Sequence, residues 1–175
     1  QAFFISDASF SQLEPSQTAA ILAEVISARI PCELIICGEG SSDLYAQQVG
    51  PRLAELMGMP CISYVQKLTV EGGKVIAERR VEEGTETVTA SLPALVTVLP
   101  DINTPRIPGV KDTLMASKKP VVSVSKGEIS AGQTAHLRTI GMTGSSTARD
   151  GIKFGSDAPE IARFVDQLKK KGVLG

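Results

Sequence analysis

The stretch Gly38-Glu39-Gly40-Ser41-Ser42-Asp43 holds the residue types best suited to chemistry in this chain. It follows the apolar run Glu33-Leu34-Ile35-Ile36-Cys37 and precedes a segment of helical spacing, so it joins a strand to a helix. At such a junction glycines let the backbone approach phosphate oxygens, and the helix N-terminus offers unpaired N–H groups. Ser41 and Ser42 add hydroxyl donors, while Asp43 either caps the helix or accepts from a ribose hydroxyl. Gln47 and Gln48 are expected in the first turn of that helix, to read an adenine edge or a phosphate, or to form a solvated polar face. The spacing is neither a GxGxxG fingerprint nor a P-loop. On spacing alone, a nucleotide cradle and a plain tight turn both stay open.

Other reactive residue types do not assemble into a bond-making site. His136 is the only histidine, so no Ser/His/Asp or Cys/His arrangement can be built on it. Cys32, Cys37 and Cys61 are odd in number and form no CxxC pair, which points to buried reduced thiols rather than a disulfide or a metal site. Glu82-Glu83 reads as a hairpin turn, not an acid/base pair. Arg79-Arg80 and Lys118-Lys119 read as solvated surface, with steering of an acidic partner as the alternative. A net charge of −1, 4% aromatic residues and no Trp give no basis for a nucleic-acid partner. No run approaches the roughly 20 apolar residues of a membrane span, so direct membrane insertion is not expected. No signal peptide is legible, and the expectation is a cytoplasmic protein.

The elements that must position the loop follow from periodicity. Residues 2–5 read as a short buried strand. Pro15 opens a helix to about Arg29, with Ile21, Leu22, Val25 and Ile26 at helical spacing. Residues 33–37 read as a strand covered on both faces. The helix after the loop carries Ala46, Val49, Leu53 and Leu56 on one face, is kinked or restarted by Pro51, and is closed by Gly58. Segments 62–70, 74–81 and 87–99 read as antiparallel strands, the last returning to the buried sheet. A short helix over 110–117, a strand over 121–125 and a final helix over 158–171 complete the pattern. The expected fold class is α/β: a doubly wound, Rossmann-like sheet with an antiparallel hairpin section and a C-terminal arm. Residues 1–125 are assigned to the nucleotide-binding domain, and 126–175, nearly aperiodic until the last helix, to an extended arm.

A longer pattern is more specific than the glycine loop. The run from Ala77-Glu78-Arg79-Arg80 through Glu82-Glu83-Gly84 and Glu86, closed by the Pro-led strand Pro93-Ala94-Leu95-Val96-Thr97, resembles the signature of electron transfer flavoprotein beta subunits. Asn103-Thr104-Pro105-Arg106 resembles the turn that follows it in that family, and Gly38–Gly50 its nucleotide loop, in wording most similar to the FixA branch. The resemblance implies an electron carrier rather than a stand-alone enzyme. It implies pairing with an alpha subunit that holds the redox FAD, and an adenine nucleotide in this chain: AMP in the ordinary branch, a second FAD in the bifurcating branch. Tyr45 and Ala46 stand where many bifurcating members have Asp and Thr, so AMP and FAD both stay open, with the FixA likeness favouring FAD.

By position, the resemblance assigns cofactor binding to Gly38, Gly40, Ser41, Ser42, Asp43, Gln47, Gln48, Val49 and Gly50. It assigns docking of an electron-donating dehydrogenase to the loop 107–116, with Ile107, Val110, Leu114 and Met115 as contacts. The arm is expected to wrap the alpha subunit, and electrons to leave to a quinone reductase or a ferredoxin-type acceptor. Family members begin with about half a domain more of strands and helices. With Gln1 leading straight into Ala2-Phe3-Phe4-Ile5, the resemblance therefore implies an N-terminally truncated subunit with an open apolar sheet edge and a nucleotide site short of one wall. The competing class is a non-redox adenine-nucleotide module of the universal-stress or ATP-hydrolase type, which shares the strand–loop–helix geometry but needs neither the 77–97 run nor the arm.

Overall fold

The computed structural model describes residues 1–132, 134–135, 137–144 and 151–174. The chain divides into two compact units, Gln1–Arg138 and Thr139–Gly175.

The first unit carries a mixed α/β architecture of the Rossmann-like kind, with seven strands in two sheets among its described residues. The larger sheet has the order β2-β6-β3-β4-β5: β2 (Leu34–Gly38), β6 (Ala94–Val98), β3 (Cys61–Glu71), β4 (Lys74–Val81) and β5 (Gly84–Ser91). β2, β6 and β3 run parallel, with Ile35 opposite Leu95 and Cys61 also opposite Leu95. β3, β4 and β5 form an antiparallel meander. The β3–β4 turn falls where glycines allow positive φ, at Gly72 (56°) and Gly73 (73°), and the β4–β5 turn is Glu82-Glu83. β1 (Ala2–Ile5) and β7 (Val121–Val124) form a separate parallel pair.

Helix α1 (Pro15–Arg29) lies across both sheets, and its sequence shows why. Ala19 joins Ile35, Leu53 and Leu95 in one core cluster, while Ile21 and Val25 join Val124, Phe3 and Ile5 in another. A helix that packs on two neighbours needs apolar residues over a wide arc, not a narrow stripe. Pro15 at its first position has the preset φ that suits a helix start. Helix α2 (Val49–Leu56) buries Gly50, Leu53 and Ala54 against β6 and α1. A third cluster, built on Ile62, Val65, Val75, Ala77, Ala94 and Val96, fills the opposite side of the larger sheet.

Four expectations are corrected. The run 87–99 is two strands, not one: β5 ends at Ser91, and Pro93, which has no N–H, separates it from β6. β6 then lies inside the sheet, between β2 and β3, with Ala94, Leu95, Val96 and Thr97 all buried. β2 is not covered on both faces, because Ile35 is buried under α1 while Ile36 is 57% exposed on the other side. β1 is only half covered, since Phe3 and Ile5 face α1 and Phe4 is 58% exposed. Finally, α2 begins at Val49, so Ala46 lies before the helix. Pro51 lies in its first turn, where a missing N–H costs nothing.

Helix α3 (Val110–Ala116) is bounded by Gly109, whose N–H donates to Asp112 Oδ2 at 3.1 Å. The segment after β7 returns to α1: the N–H groups of Ser130 and Ala131 donate to the Glu24 carboxylate, and Gln17 Nε2 donates to the Gly132 carbonyl at 2.9 Å.

The second unit is built on α4 (Ala158–Lys170). Asp157 caps it by accepting from the Glu160 N–H at 2.9 Å. Gly172, at φ 68°, ends it with its N–H on the Lys169 carbonyl. Phe154 packs edge-on to Phe164 with ring centroids 5.3 Å apart, under the Arg163 guanidinium.

Candidate functional site

β2 delivers the chain to the loop at Gly38, and the Glu39 N–H donates to the Val98 carbonyl at 3.1 Å, which ties the loop entrance to the end of β6. The loop then folds on its own side chains. Asp43 Oδ1 accepts from the Ser41 hydroxyl and from the Leu44 N–H at 2.7 Å. The Ser41 hydroxyl first, and then the Leu44 N–H, hold the Asp43 carboxyl below the usual range, so it is ionised at neutral pH. Asp43 therefore braces the loop and does not cap α2. That corrects the capping alternative: five residues separate Asp43 from the helix start at Val49.

Gln47 and Gln48 also lie ahead of the first helical turn. Gln47 has φ 54° and cannot continue a helix, while Gln48 occupies the cap position and its side-chain oxygen accepts from Arg52 Nε at 3.1 Å. Gln47 Oε1 stands 3.5 Å from the Tyr64 hydroxyl. Two glycines are needed for space rather than for φ. A Cβ on Gly40 would fall 2.9 Å from the Tyr45 ring, and one on Gly50 would fall 2.5 Å from Thr97 Cγ2. Gly50 is thus what lets α2 lie close on β6 beside the loop.

The loop walls a cavity of about 410 Å³. Gly38, Gly40, Ser41, Asp43, Gln47 and Gln48 line one side, with Val49 and Gly50 from the start of α2. The other side is formed by Pro15 and Thr18, from the first turn of α1, and by Leu13 just before it. Of the residues singled out from sequence, only Ser42 is absent from the lining. The contribution of α1 was not anticipated. Its signal was present in the Pro15 helix start, but nothing in one sequence says that two helix starts face one another.

Two helix N-termini at one cavity make a partly positive environment without a cationic side chain. The lining contains no Lys or Arg, and it contains the acids Glu39 and Asp43. Such a setting suits one or two phosphates held by N–H groups, with a carboxylate left for ribose hydroxyls. Cys37 also lines the cavity, and burial first, then the neighbouring Cys61, push its thiol up, so it stays protonated and inert. Among the described residues no group of three or more His, Cys, Asp and Glu has metal-site geometry, and no helix is long and apolar enough to cross a membrane. His136 lies outside the described residues.

Ile107, Val110, Leu114 and Met115 are all exposed, Ile107 by 95% and Val110 by 81%. They lie on and before α3, away from every buried cluster of the first unit.

The parallel β2-β6-β3 core, with a loop cavity at the carboxyl end of β2, defines a Rossmann-like α/β protein. Residues 1–129 match the family model described as the electron transfer flavoprotein domain. The match covers most of the 175 residues, and the chain belongs to that family. Its role is accordingly in electron transfer with flavoproteins.

Proposed function

We propose that this chain is a beta-type subunit of the FixA-like branch, a cytoplasmic partner of an alpha subunit. Its loop cavity holds the adenylate end of FAD, or AMP in its place. The observation that carries this reading is the convergence of the glycine loop and the starts of α1 and α2 on one cavity without cationic side chains. The residues present fit such a group. Gly40 and Gly50 leave room that a Cβ would fill, the Gln48 amide nitrogen supplies donors, and Asp43 supplies an acceptor. A triphosphate suits the cavity poorly, because Glu39 and Asp43 oppose high negative charge and no lysine offsets it. This weighs against the ATP-hydrolase alternative, as does the family membership.

The flavin supplies the redox chemistry when bound. The chain supplies position: N–H groups of α2 orient phosphate, and Gln48 reaches the nucleotide from the helix cap. The exposed apolar residues of the 107–116 segment provide the docking contact for a donor dehydrogenase, with a quinone reductase or ferredoxin-type acceptor downstream. The test is co-expression with the alpha subunit and chromatography of the released nucleotide. Two FAD per heterodimer supports a bifurcating carrier, and one FAD with one AMP supports an ordinary one. A heterodimer that releases no flavin sinks the proposal. Gln48→Ala is expected to lower nucleotide retention by about tenfold, the scale of one good hydrogen bond; unchanged retention removes Gln48 from the site.

A further inference from the structure

The first turn of α2 is short of donors. Pro51 has no N–H, and the Arg52 N–H is spent on the Gln48 carbonyl at 3.1 Å, which leaves only Val49 and Gly50 with backbone N–H groups to offer from that turn. The cavity lining brings no Lys or Arg to make up the difference. Gln48, at the cap position and in the lining, is the side chain placed to do so, provided that its amide presents nitrogen and not oxygen.

Arg52 decides which end is presented. It stands four residues after Gln48, on the same side of the helix. Its Nε donates to Gln48 Oε1 at 3.1 Å. A guanidinium has donors and no acceptor, so its partner must be the amide oxygen, and the Gln48 Nε2 group faces away from Arg52. Gly50, Leu53 and Ala54 are buried against β6 and α1, which fixes the rotation of the helix and with it the side that carries 48 and 52. Arg52 itself is exposed and stands outside the cavity lining. Arg29, Arg79, Arg80 and Arg163 each meet a carboxylate, whereas Arg52 meets this amide.

We infer that Arg52 is a positioning residue of the nucleotide site: it holds the Gln48 amide with its nitrogen towards the cavity, where that group donates to a phosphate oxygen of the ligand. This rests on the nucleotide reading of the loop. Phosphate is the part of the ligand concerned, because Gln48 sits at the helix end whose N–H groups attract an anion, and a phosphate oxygen needs a donor. A Gln48 turned the other way would set its own oxygen against the phosphate. The exposed guanidinium adds, one side chain back, the positive charge that the lining lacks.

The 175-residue chain is titrated by calorimetry with AMP and with adenosine. Arg52→Met removes the donor and keeps most of the side-chain length; because Arg52 is exposed, the fold is expected to hold. This variant is expected to weaken AMP about fivefold, the scale of one hydrogen bond, and to leave adenosine unchanged. Arg52→Lys, which can donate to the same oxygen, is expected to restore AMP to within about twofold of wild type. Gln48→Glu, whose carboxylate pairs with Arg52 and has no hydrogen to give, is expected to weaken AMP at least as much as Gln48→Ala does. In the double variant Gln48→Ala with Arg52→Met the two losses are expected not to add, because Arg52 acts only through Gln48. Additive losses, an equal loss of adenosine, or AMP affinity unchanged by Arg52→Met overturns the inference and leaves the nucleotide reading standing. A wild-type chain that binds neither ligand overturns the nucleotide reading and the inference with it.

Discussion

Gly50 is the residue on which the site geometry turns most directly. Its Cα faces Thr97 on β6 so closely that a methyl would meet Thr97 Cγ2 at 2.5 Å. Thr97 is buried and its hydroxyl already accepts from the Tyr64 N–H, so neither partner can withdraw freely. Gly50→Ala is therefore expected to destabilise the fold by about 1–3 kcal/mol, the usual cost of overpacking, read as a lower urea midpoint at unchanged slope. Asp43 acts differently. Its carboxylate is exposed and costs little to remove for folding, yet it fixes the loop through Ser41 and Leu44. Asp43→Asn is expected to lower nucleotide affinity while the urea midpoint moves little. A large loss of stability with intact affinity would contradict the assignment of Asp43 to the site.

At the level of elements, α1 is the keystone, since it closes the loop cavity with its first turn and covers both sheets with its length. The segment 125–132 is clasped to it. Arg29 Nη2 donates to Glu128 Oε2 at 2.7 Å, and the Ser125 N–H and hydroxyl donate to the same side chain, so the Glu128 carboxyl falls to about 2. Glu24 is lowered too, by the Ser130 N–H first, then the Ala131 N–H and the Ser130 hydroxyl. A depressed folded pKa means that the contribution is complete above the ordinary glutamate value of 4.5 and is lost as pH falls towards about 2. Amide exchange at Ser130 and Ala131, whose N–H groups donate to Glu24, is therefore expected to lose protection, relative to core amides, as pH falls below the ordinary glutamate value of 4.5. Glu24→Gln should produce the same loss at neutral pH. Protection that follows the core amides at every pH would show that the clasp does not act as a local unit.

Across the whole molecule, the exposed apolar residues of the 107–116 segment stand apart from the packed clusters. Residues that bury nothing within the first unit can be changed without loss of fold. Val110→Asp is expected to leave the unfolding midpoint within about 0.5 kcal/mol of wild type and to lower the rate of electron delivery from a donor dehydrogenase several-fold. Loss of stability instead would mean that Val110 packs internally.

Much of this was legible in the chain itself, for reasons that are local. The spacing of Ile21, Leu22, Val25 and Ile26 defines α1, Gly72-Gly73 defines a hairpin, and the β-branched runs define β3 and β4. The strand–glycine–helix junction located the loop cavity. What the sequence could not state depends on atoms far apart in the chain. The backbone of Gln47 and Tyr64 at positive φ is held by contacts across the sheet, not by residue preference, so the start of α2 and the bulge in β3 escaped periodicity. The opening of Ile36 to solvent depends on which faces are covered, which hydrophobicity alone does not encode. The sequence by itself determined the α/β class, the family signature and the element order apart from the split of 87–99 into β5 and β6. Only the tertiary structure decided that α1 completes the loop cavity, because that follows from strand order and packing between distant segments.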